Sequence, residues 1–301
     1  MERPKSLLSA KKPPEHLYHY TSINGLEGIL TSRSLWASQI HFLNDTQEFR
    51  YSVDILKRVL SQLRKEYPVP VLPALGPPPL PSDPKLLPGF FYRSVEEFLL
   101  SDLFVKTPIC IFSLSERGDL LSQWRGYCPP GGGYSIGFSS ELLIQFLKTQ
   151  DLHIERCLYD EKEQEAIVKQ IITEAGEIAL KGFVDRPQEF EKTTKECLIN
   201  LFMDFSQVAA ILKHPSFYEE CEWRIVSGLI ENRHMSFRVA KSMLIPYFLI
   251  SFKGIEAFPI DKIIIGPTPE QSLAKSSLFQ FLLQNKLNIS IETSKTPYRV
   301  L

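Results

Sequence analysis

Proline places the strongest constraint on how this chain of 301 residues can fold, because nine of its 22 prolines lie between Pro68 and Pro88. Proline lacks a backbone N–H and fixes φ, so such a stretch can form neither the interior of a helix nor a central strand. We expect an extended insert with polyproline character over residues 67–90, with a docking peptide for a partner as the alternative. The hydrophobic core must then come from the two flanking parts of the chain.

The composition is otherwise that of a globular protein, with 44% hydrophobic and 23% charged residues. A net charge of -1 means that no overall field attracts nucleic acid or a membrane surface. Five scattered cysteines without a C-x-x-C pair argue against a disulfide framework and against a zinc site. The apolar stretch at residues 242–252 is far shorter than the ~20 residues of a membrane span. We therefore expect a cytoplasmic protein that binds no metal and contacts no membrane.

Short strands and helices mix along the chain without a regular βαβ period, which favours an α+β fold over a doubly wound sheet. We predict one mixed-sheet domain with flanking helices over residues 1–301, interrupted by the proline-rich insert. A charged helical region is expected at about residues 161–213. We expect it to end near the His214-Pro215 pair, because the residue before a proline leaves the α conformation. The predicted strands include residues 16–20, 35–37, 108–114, 134–138 and 221–226.

His19 lies where a short aromatic strand ends and a helix begins. A helix N-terminus carries partial positive charge and free N–H groups, so the junction suits a phosphate or a ribose. A histidine at this point can donate one hydrogen bond and accept another. The alternative is that His19 only satisfies the edge of the strand.

A second polar segment surrounds Glu222. Because side chains alternate along a strand, Glu220, Glu222 and Arg224 are expected on one face, and Cys221 and Trp223 on the other. A glutamate held in a cleft beside an arginine can stabilise the positive charge that develops on a sugar carbon during glycosyl transfer. The alternative is a Glu–Arg pair on a solvated face of the sheet.

The segment at residues 123–127 combines an amide, two aromatic rings and a guanidinium. Trp124 and Tyr127 could stack on a planar ring, and Arg125 could hold a phosphate. The glycines that follow match neither a P-loop nor the dinucleotide-binding fingerprint, so they predict a loop without a phosphate motif.

Motifs along almost the whole chain carry a family resemblance. They include L-Y-H-Y-T-S, F-L-N-D-x-x-E-F, S-L-S-E-x-x-D-L-L-S-Q-W-R-G-Y, Y-S-I-G-F, K-H-P-x-F-x-x-E-x-E-W-R and I-I-I-G-P. Together with the terminal S-x-x-P-Y-R, and in this order between residues 17 and 299, they resemble domain-of-unknown-function family 2971. That resemblance implies a bacterial-type protein of one domain, but it implies no activity.

The chain also has a looser resemblance to ADP-ribosyltransferases of the diphtheria-toxin and DNA-targeting toxin groups, carried by His-x-Thr at residues 19–21 and the short helix after it. The resemblance implies a split sheet in which His19 and Thr21 bind the ribose side of NAD, Glu222 stabilises an oxocarbenium ion and Glu220 orients the acceptor. It leaves Tyr20, Trp124 and Tyr134 as alternatives for the ring that stacks on nicotinamide, with Arg125 on the pyrophosphate. The middle Ser-Thr-Ser element of those enzymes is missing.

These inferences predict an NAD-dependent ADP-ribosyltransferase or NAD glycohydrolase that acts as a toxin or an anti-phage effector. NAD would be its substrate, and a protein or a nucleic acid would accept the ADP-ribose. The alternative is a non-enzymatic module that binds a nucleotide or a partner. A cleft containing both His19 and Glu222 favours the enzyme, whereas a Glu222 closed off by Arg224 favours the binding module.

Overall fold

The structure is a computed structural model that describes residues 11–43, 47–69, 84–99, 109–129, 132–150, 152–240, 242–255 and 257–297. The strands within these ranges are β1 (His16–Thr21), β2 (Ser34–Gln39), β3 (Ile109–Ser115), β4 (Tyr134–Ser139), β5 (His153–Arg156), β6 (Glu222–Leu229), β7 (Ser236–Val239), β8 (Leu244–Ser251), β9 (Ile260–Ile265) and β10 (Ser290–Thr293). The helices are α1 (Ile23–Ser32), α2 (Gln47–Glu66), α3 (Leu87–Leu99), α4 (Leu121–Tyr127), α5 (Ser140–Thr149), α6 (Glu161–Asp185), α7 (Phe190–Ala209) and α8 (Gln271–Gln284).

The chain divides into two compact units, each assembled from separated stretches of sequence. The first comprises residues 1–43, 109–157 and 216–301, and the second comprises residues 44–108 and 158–215. All the described strands belong to the first unit, together with α1, α4, α5 and α8. The predicted organisation as a single domain stays a prediction.

The strands form one mixed sheet in the first unit. Their order is β10-β9-β4-β1-β3-β2-β8-β7, with β6 paired to β3 and β5 paired to β6. β9 and β10 are parallel, and the other paired strands are antiparallel. Helices α1, α5 and α8 flank the sheet, so the predicted α+β class is confirmed.

The sheet opens between β1 and β2, which both run antiparallel to β3 along the same edge. The register of β1 with β3 consists of one pair, Tyr18 with Ser115, whereas β2 pairs with β3 through Ile111 and Cys110. Residues 112–114 of β3 therefore lie outside both ladders on that edge. The connection between the diverging strands is α1, which begins after Ser22.

The core of the first unit follows from strand alternation. Leu17, Phe138, Trp223 and Ile225 are almost completely buried in one hydrophobic cluster, and helix α1 adds Leu26 and Leu30 to it. The predicted apolar face is thus confirmed for Trp223 and Ile225, whereas Cys221 lies outside β6 and is only partly buried. This packing holds β1, β3 and β6 together close to the opening of the sheet.

The second unit is helical. α2 buries Leu56, Leu60 and Leu63, as the apolar period of the sequence predicts. The predicted helical region at 161–213 consists of α6 and α7, which are separated by a short 3-10 helix. The sequence also predicts that Asn44 caps α2, with Gln47 three residues on, and Asn44 lies outside the described residues.

The last part of the predicted proline-rich insert is helical. Residues 70–83 lie outside the described residues, but residues 84–86 form a 3-10 helix and α3 begins at Leu87. Pro88 stands in the first turn of α3, where the missing N–H would have had no partner within the helix. Residues 84–90 are therefore helical rather than extended. Among the described helices, none combines the length and the apolar character that crossing a bilayer requires.

Candidate functional site

Two adjoining cavities lie where the sheet opens. The larger one, of about 510 Å³, is lined by residues of β1, α1, β2 and β3 together with Tyr127 and Arg238. Its volume falls within the range of small-molecule sites, about 300–1,000 Å³. The smaller one, of about 60 Å³, is bordered by Glu222 at the start of β6. His19, Ser113 and Tyr127 line both cavities, so these residues connect them.

His19 occupies the opening between β1 and β3. Its Nδ1 lies 3.0 Å from the carbonyl oxygen of Ser113, and its ring packs against Phe112 with a centroid distance of 4.3 Å. Burial lowers the pKa of His19 to about 4, although the Ser113 hydrogen bond acts in the opposite direction, so the ring is neutral near pH 7. Because a carbonyl oxygen only accepts, Nδ1 carries the proton and Nε2 is an acceptor. No described residue hydrogen-bonds to Nε2.

Small residues at the start of α1 form part of the wall of the larger cavity. Ser22 caps the helix by accepting a hydrogen bond from the N–H of Gly25 at 3.2 Å. A Cβ atom at Gly25 would lie 2.0 Å from Oγ1 of Thr21, whereas a Cβ atom at Gly28 would have no neighbour within 4 Å. Thr21, Gly25 and Gly28 all line the cavity. The side of α1 that faces the cavity therefore leaves room for a ligand.

Glu222 is a buried carboxylate, with 5% of its surface exposed. Arg224, two residues further along β6, donates from Nε to Oε1 at 2.8 Å and from Nη2 to Oε2 at 3.1 Å. Such two-point pairing stabilises the charged forms of both groups and fixes their geometry. Glu222 therefore presents an oriented carboxylate at the smaller cavity, and Arg224 balances much of its charge.

The backbone changes direction between the two predicted catalytic glutamates. Cys221 has a φ of 44°, in the left-handed region that costs a residue with a side chain about 1–2 kcal/mol. Its N–H donates to the carbonyl of Tyr218 at 3.2 Å, and its own carbonyl accepts from the N–H of Glu116 at 3.0 Å. Glu220 belongs to a 3-10 helix, so its predicted place on the strand is wrong, yet it lines the same small cavity as Glu222.

Tyr20 and Trp124 are held in a buried cluster. Their rings meet edge to face at 4.7 Å between centroids. The Tyr20 hydroxyl donates to the carbonyl of Arg117 at 2.7 Å, and Trp124 Nε1 donates to Oδ1 of Asp119 at 2.7 Å. Burial raises the pKa of Tyr20 far above its ordinary value, so its hydroxyl stays protonated. Tyr20 lines the smaller cavity, whereas Trp124 lines neither cavity.

The remaining predicted residues lie at different distances from the cavities. Arg125 is exposed on α4 and lines neither cavity, and neither does Tyr134 on β4. Tyr127, one turn of helix from Trp124, lines both. Sequence reasoning missed Arg238 and Trp36, which line the larger cavity, because only strand pairing brings β7, β8 and β2 together. The described residues contain no group of three or more side chains of the types that bind metals.

The fold and the site define a class: an α+β protein whose mixed sheet opens around a cavity of small-molecule size. Residues 123–225, about a third of the chain, match a family model described as a protein of unknown function, DUF2971. The matched segment contains Glu220 and Glu222 and supports the resemblance to this family that the motifs indicate. No curated protein and no solved structure matches the chain.

Proposed function

We propose that the protein binds NAD at the opening of the sheet and cleaves the bond between nicotinamide and ribose, as an ADP-ribosyltransferase or an NAD glycohydrolase. One observation carries the proposal. His19, predicted to bind the ribose, and Glu222, predicted to stabilise the oxocarbenium ion, line the same small cavity, and His19 also lines the large cavity beside it. The larger cavity would hold most of the dinucleotide, since the smaller has room for only a few water molecules.

His19 is suited to binding a sugar rather than to proton transfer. Its neutral ring donates from Nδ1 to the protein and leaves Nε2 to accept a hydrogen bond from a ribose hydroxyl. Thr21 lines the same cavity and adds a hydroxyl that can both donate and accept.

The larger cavity also offers a favourable place for the pyrophosphate. Arg238 lines the cavity and donates from Nη2 to Oγ of Ser38 at 3.3 Å, which orients its guanidinium. The first turn of α1 adds the partial positive charge of a helix N-terminus. Arg238 therefore takes the role that the sequence suggested for Arg125, and Tyr127 is better placed than Trp124 to stack on nicotinamide.

In the proposed reaction, the bond between the ribose C1′ atom and the nicotinamide nitrogen breaks, and its electron pair leaves with neutral nicotinamide. The Glu222 carboxylate stabilises the positive charge that remains on the sugar. Water or an acceptor nucleophile then forms the new bond to C1′. Glu220, at the same cavity, orients that nucleophile and takes its proton.

Nicotinamide release from NAD tests this role. We expect Glu222→Gln to lower the rate by about 100-fold or more, because the amide keeps the shape but loses the charge. Glu27→Gln, an exposed residue of α1, is the matched control and should keep the wild-type rate. Equal release from wild type and Glu222→Gln would overturn the proposed role, provided that both proteins melt at similar temperatures.

The contact between Glu222 and Arg224 favours a second candidate, a non-enzymatic module that binds a nucleotide. A carboxylate held at both oxygens by a guanidinium has less charge to offer a developing cation. This candidate predicts that NAD binds in calorimetry but is recovered intact after long incubation. Release of nicotinamide by the wild-type protein, but not by Glu222→Gln, would exclude the binding module.

An NAD-consuming activity would suit a toxin or an anti-phage effector, with a protein or a nucleic acid as acceptor. In that role, expression in bacteria should deplete NAD and arrest growth, and Glu222→Gln should remove both effects. Growth arrest that survives Glu222→Gln would contradict the proposed role.

A further inference from the structure

Trp36 is unusual among the tryptophans of the chain because it is exposed on a strand. Trp124 and Trp223 keep only 2% and 1% of their surface accessible, whereas Trp36 keeps 49% and lines the larger cavity. A tryptophan side chain left in water forgoes the burial of a large apolar area. An exposed ring in the wall of a cavity is therefore a candidate for contact with a ligand.

The ring of Trp36 is held in place before any ligand arrives. It stacks on the ring of Tyr247 with 4.6 Å between centroids and 23° between planes. Its backbone lies in the ladder of β2 with β8, opposite Leu249. A ring that is ordered in this way loses little conformational freedom when a second planar group stacks on it.

The surroundings of Trp36 fit a nucleoside better than a purely apolar ligand. Ser34 and Ser38, its neighbours at alternate positions on β2, line the cavity with hydroxyl groups. Arg238 donates a hydrogen bond to Ser38 and adds a positive charge next to these hydroxyl groups. Gly28 leaves space on the helix wall. A planar base, a sugar and a phosphate would each find a matching group here.

We infer that Trp36 is a stacking platform for the adenine base of the proposed substrate, so that the larger cavity binds adenosine nucleotides. Adenine would stack on Trp36 of the β2 wall while its ribose contacts His19 of the β1 wall. This placement of adenine deepens the proposed function. The choice of adenine as the base rests on NAD being the substrate, whereas the stacking site rests on Trp36 itself. Stacking of one base on an aromatic side chain changes affinity by about five- to 150-fold.

Tryptophan fluorescence tests the inference directly, because the other two tryptophans are buried. Excited at the red edge of tryptophan absorption, the wild-type protein should lose emission in a saturable way when AMP or ADP-ribose is added. The bound nucleotide should also protect Trp36 from quenching by acrylamide. Nicotinamide mononucleotide, which has the ribose and a phosphate but no adenine, should give neither effect.

Two variants of Trp36 distinguish the loss of base stacking from a loss of folding. Trp36→Leu should remove the AMP-dependent signal and weaken AMP binding by calorimetry about tenfold or more, whereas Trp36→Phe should retain most of the affinity. Because Trp36 is half exposed, both variants should melt close to wild type. Equal AMP affinity in wild type and Trp36→Leu, or no AMP-dependent change in wild-type emission, would overturn the inference.

The two proposals fail separately. If AMP quenches Trp36 but no nicotinamide is released from NAD, the adenine platform stands and the enzymatic proposal falls. If nicotinamide is released and the KM for NAD is unchanged in Trp36→Leu, the enzymatic proposal stands and the adenine platform falls.

Discussion

His19 illustrates how one partly buried side chain combines a structural and a binding role. Its Nδ1 satisfies the carbonyl of Ser113 in the part of β3 that neither β1 nor β2 pairs with, and its Nε2 remains an acceptor. The two alternatives that the sequence left open, a satisfied strand edge and a ribose contact, are therefore compatible. They use the two different nitrogen atoms of one ring.

The low pKa of His19 predicts how stability changes in acid. The unfolded histidine has its ordinary pKa near 6.5, and the folded one titrates at about 4, so the unfolded chain takes up the proton first as the pH falls. The contribution of His19 is thus fully present above about pH 6.5 and is lost as the pH falls towards 4. We expect the free energy of unfolding of the wild-type protein, measured in urea, to be about 1–2 kcal/mol lower at pH 5 than at pH 7.

His19→Gln is the matched comparison, since an amide cannot titrate in this range. It should show a smaller loss of stability between pH 7 and pH 5 than wild type shows. The same loss in both proteins would mean that His19 does not determine the acid sensitivity.

At the scale of elements, the site depends on the crossover from β1 through α1 to β2. The two strands diverge from a common neighbour, and glycine residues on α1 leave the space between them unfilled. Gly25 is required by its contact with Thr21, whereas Gly28 makes no comparable contact. A glycine within a helix lowers the stability of that helix by about 0.5–1 kcal/mol relative to alanine. The position of Gly28 in the wall of the cavity explains why the chain has a glycine there despite this loss.

Gly28→Leu should separate stability from binding. The new side chain meets no protein atom at Cβ and improves helix propensity, so the melting temperature should stay the same or rise by a few degrees. It also extends into the larger cavity, so AMP and NAD should bind at least about tenfold more weakly in calorimetry. Gly28→Ala is the control for propensity, with the same gain in stability and a smaller effect on binding. Full nucleotide affinity in Gly28→Leu would place the ligand elsewhere.

At the scale of the whole molecule, Asp119 connects parts of the first unit that are far apart in sequence. Its carboxylate accepts hydrogen bonds from Trp124 Nε1 at 2.7 Å, Thr296 Oγ1 at 2.9 Å and the N–H of Lys295 at 2.8 Å, and also from Ser294 Oγ. The loop after β3 is thereby joined to the segment after β10. This contact holds α4, and hence Tyr127, beside the cavities.

Asp119→Ala should destabilise the protein by about 2 kcal/mol, because several donors lose a charged acceptor. Burial raises the pKa of Asp119, but the hydrogen bonds from Ser294, Trp124, Lys295 and Thr296 outweigh it and lower the pKa overall. The contribution is therefore present above about pH 4 and is lost as the pH falls through the lower pKa of the folded state. The difference in melting temperature between pH 7 and pH 3 should be smaller for Asp119→Ala than for the wild-type protein. Melting temperatures equal to wild type at pH 7 would contradict this role.

The sequence by itself determined the local features. The α+β class, the amphipathic face of α2 and the burial of Trp223 and Ile225 follow from periodicity, which acts over a few residues. For the cap of α1 the sequence offers Thr21 or Ser22, and the structure uses Ser22. It also singled out His19, Glu220 and Glu222, which the fold brings to one small cavity. Their chemical roles stay predictions.

Only the tertiary structure decided where the cavity lies and what completes it. The divergence of β1 from β2 and the presence of Trp36 and Arg238 in the lining of one cavity depend on pairing between strands that are distant in the chain. Trp124 looked like a ligand-stacking ring in the sequence, but packing buried it and left Trp36 exposed. The physical reason is that alternation along a strand tells which residues share a face, whereas only the neighbouring elements decide whether that face meets a core or a cavity.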